Sequence, residues 1–193
     1  MRAIPTSGPD RGHKAAFVDR DGVINPDSGF LYRTEQFQFL PGAVEALKSL
    51  QAAGYLLVVI TNQSGIARGL YSEAEYRRLT AHMQQLLRDA GVHLAAVEHC
   101  PHLPDAPIAR YRIACDCRKP LPGMLLRAAV ALGVDMAASI LVGDRASDIQ
   151  AGRSAGVGRC WLVRSGVALS AADLELADAV FDDLADCARG LGE

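Results

Sequence analysis

The sequence predicts an α/β fold, a doubly wound parallel sheet with helices on both faces. Short apolar runs alternate with stretches of helical spacing along most of the chain, which is the pattern of βα units. Residues 55–60 form a continuous apolar run rich in β-branched side chains, as expected of a strand buried on both faces. At 193 residues, half of them apolar, the chain can bury roughly 70% of its unfolded surface and needs no staples. A net charge of −2 argues against a nucleic-acid or polybasic membrane partner, which would need a strong positive field.

The elements follow in order. Residues 15–18 are a short apolar run that stops at Asp19. Residues 41–50 carry Val44, Leu47 and Leu50 at helical spacing and close at Gly54. The strand at 55–60 comes next. Ser72 and Glu75 form a capping box that opens a long helix to about Ala90, with Gly91 as its stop. Residues 95–97 lead into a cysteine-bearing segment. Residues 122–132 read as a helix, 140–143 as a strand, 146–155 as a helix and 157–163 as a strand. The end of the chain, 170–193, reads as a last strand near 179–181 among short helices. One domain over 15–193 is expected, preceded by a flexible arm over 1–14. That arm has no apolar run and cannot be a signal peptide, so a cytoplasmic protein is expected. Only residues 100–120 break the alternation, a long connection with a composition of its own.

In an open α/β sheet ligands bind beyond the carboxyl ends of the strands. Three apolar runs stop there on polar groups: Asp19-Arg20-Asp21-Gly22, Thr61-Asn62-Gln63-Ser64-Gly65, and Gly143-Asp144-Arg145 with Asp148 one helical turn on. Asp19 and Asp21, two apart in a strand, project the same way and repel each other. A solvated turn at Gly22 explains that pair as well as a site does. Asp144, at the same edge, would complete an oxygen-rich pocket suited to Mg²⁺. Thr61, Asn62, Gln63 and Ser64 offer a hydroxyl, amides and backbone N–H groups that suit phosphate oxygens, although an ordinary capped loop has the same composition. Arg118 and Lys119 place two cations before a helix, which alone is a common solvated surface.

Cys100-Pro101-His102 is followed, after twelve intervening residues, by Cys115-Asp116-Cys117. Three thiolates and an imidazole make a complete tetrahedral set for a structural Zn²⁺, with no position left for water. His99 neighbours Cys100, but the spacing favours His102. Cys160 and Cys187 have no partners at such spacing, and His13, His82 and His93 read as tail, helix surface and loop.

Asp19-x-Asp21-Gly22, Thr61, Lys119 and Gly143-Asp144-x-x-x-Asp148 together resemble, in order, the four motifs of haloacid-dehalogenase-type phosphatases. The resemblance spans about 17–163. It implies a Rossmann-like core and an aspartyl-phosphate mechanism. On that resemblance Asp19 is the nucleophile, Asp21 the general acid and base, and Thr61 and Lys119 hold the phosphoryl group. Mg²⁺ is held by Asp19, the Asp21 carbonyl and Asp144, while Asp148 is either a second layer around the metal or a cap of its own helix. Val23 departs from the Thr that many members carry. The zinc segment, standing in place of a cap domain, narrows the resemblance to two families, the heptose 1,7-bisphosphate 7-phosphatases and the histidinol-phosphate phosphatases. Cys-Pro-His…Cys-Asp-Cys-Arg-Lys-Pro joined to Asp19-Arg20-Asp21-Gly22-Val23-Ile24-Asn25 is most similar to the heptose enzymes. That similarity implies a sugar bisphosphate substrate contacted by Asp27, Ser28, Gly29 and Phe30, with Arg118 and Arg145 at the sugar and second phosphate. Arg145 stands where the family often has Lys. Histidinol phosphate carries an amine and would prefer carboxylates to these arginines. A non-catalytic zinc-loop module would have lost one of the carboxylates, and none is missing. With no large cap to dimerise through, a monomer is expected.

Overall fold

The computed structural model describes residues 12–192. Six parallel strands form one sheet: β1 (Ala15–Val18), β2 (Leu56–Asn62), β3 (Leu94–Cys100), β4 (Ile140–Gly143), β5 (Arg159–Val163) and β6 (Ala179–Phe181). Their spatial order is β3-β2-β1-β4-β5-β6. The sequence grows outward from β1 first one way and then the other, so β1 sits at the switch point where a crevice must open above the strand ends.

Strand side chains alternate between two cores. Ala16 and Val18 face one way with Leu57, Val59 and Val142, and are covered by α1 (Ala43–Ala52), α3 (Glu73–Asp89) and α7 (Leu184–Arg189) through Leu47, Leu50, Leu79, Met83, Leu87 and Leu184. Ala15 and Phe17 face the other way with Val58, Ile60 and Leu141, under α4 (Gly123–Leu132) and α5 (Ala146–Ala155) through Met124, Leu125, Ala128 and Ile149. Both faces are therefore dry, which is why the strands read as unbroken apolar runs. The capping box of α3 forms as the sequence predicts: Ser72 Oγ accepts from the Glu75 N–H at 3.2 Å while Glu75 accepts from the Ser72 N–H at 2.7 Å. The short α6 (Ala171–Leu176) flanks β6.

Two elements exceed the sequence reading. β3 begins at Leu94 and runs through Glu98 and His99 to Cys100, where only a lead-in at 95–97 was expected. It is an edge strand, half exposed, so its polar residues hide the pattern. The polar stretch after β2 turns at once into α2 (Ser64–Ala67). Of the expected arm, residues 1–11 lie outside the described residues, and His13 already bridges to Val134. No described helix is long and apolar enough to cross a membrane.

Candidate active site

The carboxyl ends of β1, β2 and β4 enclose a cleft of about 480 Å³. Of the residues singled out in the sequence, Asp19, Asp21, Asp27, Gly29, Phe30, Thr61, Asn62, Gln63, Ser64, Arg118, Lys119 and Arg145 all line it. Ser28 does not, and Asp144 lies buried beneath it. Asp148, the last residue of the fourth motif, lines it too, and Tyr71 and Ser147 join the lining although no motif contains them.

Lys119 is the hub. Its Nζ lies 2.9 Å from Asp19 Oδ1, 2.6 Å from Asp148 Oδ1 and 3.0 Å from the Ile60 carbonyl, and the residue is 4% exposed. Two flanking carboxylates overcome the burial penalty and hold the ammonium pKa above its ordinary value. Asp19 Oδ1 also accepts from the Arg20 N–H at 2.7 Å, and the two donors on one oxygen fix the carboxylate's rotation. Burial pushes the Asp19 carboxyl up to about 8 against the pull of Lys119, with Asp148, Asp144 and Asp21 adding to the rise.

Asp148 takes the second of the two sequence readings and caps its own helix. One oxygen pairs with Lys119, and the other accepts from the Arg145 N–H at 3.0 Å, capping α5.

Asp144 has the opposite condition. It is fully buried, and neither carboxylate oxygen has a hydrogen-bond partner among the described residues. Burial and the neighbouring Asp148 push its pKa up to about 6. Its ligand atoms fall within 4.8 Å of those of Asp19 and Asp148. A Cβ at Gly22 or Gly166 would collide with the Asp144 carboxylate, so both glycines are required by close approach. Two buried Asp144 oxygens without donors, close to the Asp19 and Asp148 carboxylates, fit a hard divalent cation.

Asp21 is held differently. The Arg20 guanidinium, 1% exposed, meets it with Nη2–Oδ2 at 2.8 Å and Nε–Oδ1 at 3.1 Å, while Asn25 Nδ2 donates to Oδ1 at 2.9 Å and Gln63 Nε2 to Oδ2 at 3.0 Å. Arg20 escapes a motif reading because it acts through its neighbour. Asn62, expected at phosphate, instead gives its amide to the backbone of Lys119: Nδ2 donates to the Lys119 carbonyl and Oδ1 accepts from the Lys119 N–H, both at 3.1 Å. At the mouth, Arg145 Nη2 pairs with Asp27 Oδ2 at 2.7 Å.

The thiol cluster lies one strand away. Cys100 ends β3, paired in register with Asn62. Its Sγ is 3.5 Å from Cys115 and 3.2 Å from Cys117, and Cys115 and Cys117 are 3.2 Å apart. His102 Nδ1 stands 3.4 Å from Cys117 and 3.9 Å from Cys100. A disulfide would need about 2.05 Å. A tetrahedral site with Zn–S bonds of about 2.3 Å has edges of about 3.5–3.8 Å, which these spacings approach. The loop packs on the domain through Leu103, Ala106 and Tyr111 against Ile66, Tyr71 and Tyr76. Cys160 and Cys187 are both buried, and neither belongs to this ligand set.

A family model described as HAD-hydrolase-like matches residues 116–187. The chain is 45% identical over 177 residues to the D-glycero-beta-D-manno-heptose-1,7-bisphosphate 7-phosphatase of Yersinia pestis, covering 92% of this chain and 94% of that protein. The Escherichia coli K12 protein of the same name is also 45% identical, with 92% and 93% covered. A crystal structure of D,D-heptose 1,7-bisphosphate phosphatase from B. bronchiseptica, complexed with magnesium and phosphate, superposes with a TM-score of 0.78 at 36% identity, covering 92% of this chain and 97% of that one. Identity at this level over nearly the full length of both chains, on one fold, establishes that this chain belongs to the heptose 1,7-bisphosphate 7-phosphatase family of haloacid-dehalogenase-like hydrolases.

Proposed function

We propose that this chain is a Mg²⁺-dependent phosphatase that removes the C7 phosphate of D-glycero-D-manno-heptose 1,7-bisphosphate, acting as a cytoplasmic monomer in the supply of nucleotide-activated heptose. The observation that carries this reading is the cleft floor, where Asp19 is locked by Lys119 while Asp144 lies buried with two unpartnered oxygens. Asp19, the Asp21 carbonyl and Asp144 would hold Mg²⁺. Bound there, the ion supplies positive charge that offsets the carboxylates and the phosphoryl oxygens.

The chain's own groups account for the proton and bond changes. A carboxylate oxygen of Asp19 attacks phosphorus, the P–O bond to the sugar breaks, and Asp21 as the acid delivers a proton to the departing alkoxide. Asp21, now ionised, takes a proton from water as that oxygen attacks the phosphoaspartate. Asp19 is released and inorganic phosphate leaves. Thr61 Oγ1 and Lys119 Nζ hold the phosphoryl oxygens throughout. Arg20, Asn25 and Gln63 keep the Asp21 carboxyl from rotating.

Arg118 and Arg145 also line the cleft and suit a second anionic group. They would disfavour the amine of histidinol phosphate. Steady-state kinetics with Mg²⁺ on both compounds test the reading. We expect kcat/KM to favour the heptose bisphosphate by at least about 100-fold, roughly 2.7 kcal/mol of discrimination. Equal rates, or a preference for histidinol phosphate, would overturn the substrate assignment.

Cys100, His102, Cys115 and Cys117 would hold Zn²⁺ in a closed set, so its contribution is to fold stability rather than chemistry.

A further inference from the structure

Tyr71, on the loop between α2 and α3, lines the cleft although nothing in the motifs singles it out. It is 5% exposed. Its ring is stacked on Tyr32, with centroids 5.5 Å apart and planes 16° from parallel. On the other side it lies against Gly65, where any Cβ would collide with the ring. The ring is therefore fixed, and its hydroxyl is delivered to one place: it donates to Gln63 Oε1 at 2.5 Å. Burial raises the phenol's pKa well above its ordinary value, so at neutral pH it keeps the proton it donates.

Gln63 is 2% exposed, and its amide faces two catalytic groups with a single nitrogen. Nε2 donates to Asp21 Oδ2 at 3.0 Å and to Thr61 Oγ1 at 2.8 Å. Asp21 Oδ2 is the acceptor in this contact, so the nitrogen end points at Asp21 and the oxygen end points away. That oxygen is buried and needs a donor, which Tyr71 supplies. Thr61 Oγ1 spends a lone pair on Gln63, which leaves its own proton to turn toward a phosphoryl oxygen in the cleft.

We propose that Tyr71 is a positioning residue for the reaction, its hydroxyl pinning the Gln63 amide so that one nitrogen holds the Asp21 acid/base and orients the Thr61 hydroxyl together. The inference rests on the roles given to Asp21 and Thr61 above. The Tyr71 hydroxyl is committed to Gln63, so the signature of its removal is a loss in turnover without a loss in binding.

The test is a double-mutant cycle in the full-length Mg²⁺-loaded enzyme, with Tyr71→Phe, Gln63→Leu and the pair, read on heptose bisphosphate and in parallel on p-nitrophenyl phosphate. Tyr71→Phe keeps the stacked ring and removes only the hydroxyl. We expect kcat to fall about fivefold with KM changed by less than about twofold, the size of one lost neutral hydrogen bond. In the Gln63→Leu background the same change should do nothing further, because the residue it pins is gone. Turnover by Tyr71→Phe equal to the unmodified enzyme, or a full fivefold effect persisting without Gln63, would overturn the proposal. The two substrates separate the failures. Activity on p-nitrophenyl phosphate alone would refute the heptose assignment and leave the cycle fully readable. A cycle that is additive on both substrates would refute Tyr71 and leave the heptose assignment standing.

Discussion

The aspartate cluster above β1 and the thiol cluster at the end of β3 are one strand apart, and both gather groups that repel one another when ionised. They resolve the repulsion in opposite ways. The aspartates carry a built-in cation: Lys119 pairs with Asp19 and Asp148, while Asp144 keeps both oxygens without a hydrogen bond, with Arg145 Nε 3.8 Å away. Part of the cluster is therefore balanced by protein, and Asp19 and Asp148 still face the cleft. The thiols and His102 instead present four soft ligands at the edges of a tetrahedron and leave nothing over for solvent or substrate. A site for turnover keeps an open face and a partial balance, whereas a site for structure closes on itself. Their separation in the sequence conceals how closely they are joined, since Cys117 precedes Lys119 by two residues.

Three experiments sharpen or break this contrast. The largest effect is expected for Asp19→Asn, which should lower kcat by at least about 10⁴-fold while the thermal midpoint moves only a few degrees. Turnover above about one percent of the unmodified enzyme would rule out Asp19 as the attacking group. Cys117→Ser should reverse the pattern, lowering Tm by more than about 10 °C and reducing bound zinc, measured by melting and by metal analysis of the same sample. An unchanged Tm would mean that the thiol cluster does not support the fold.

The third and smallest effect is in pH dependence. Asp144 has a folded-state pKa raised to about 6, above an unfolded value of about 3.9. Between those values the folded metal-free protein binds more protons than the unfolded chain, so its stability falls as pH rises from about 4 through about 6. Mg²⁺ should restore what ionisation removes. Its stabilising effect should thus be small at pH 5 and on the order of 5 °C greater at pH 7.5, as differential scanning calorimetry with and without Mg²⁺ would show. A Mg²⁺ effect equal at both pH values would separate Asp144 from the metal.

Much of the fold is legible because each signal is local. The double-faced burial of β2 makes an uninterrupted apolar run, and Ser72 with Glu75 marks the start of α3 by its own chemistry. β3 is less so, since an edge strand mixes Glu98 and His99 into its pattern. Within the site, residues that meet one another at strand ends are legible as types at a spacing, as with Asp19, Asp21 and Asp144. Residues that act through another side chain are not. Asn62 looks like a phosphate ligand and turns out to brace the Lys119 backbone, and neither Arg20 on Asp21 nor Tyr71 on Gln63 leaves any mark on a motif. Such roles depend on which rotamer packing selects, and no one-dimensional pattern encodes that.

The hold of Asn62 on Lys119 has a consequence for how this scaffold can vary. The chain leaves the sheet at Cys100, the register partner of Asn62, and returns to the Asn62 side chain at Lys119. The whole excursion is thus stapled at both ends to a single residue of β2. The position of the lysine is set by that staple and by the ligands beside it, while the exposed tip at Pro104 and Asp105 contributes nothing to it. Closing a flexible loop costs only about 0.6 kcal/mol more for each doubling of its length. The tip is therefore a place where length can be gained, or a foreign segment grafted, as long as Leu103 and Ala106 on either side keep their packing against Tyr71.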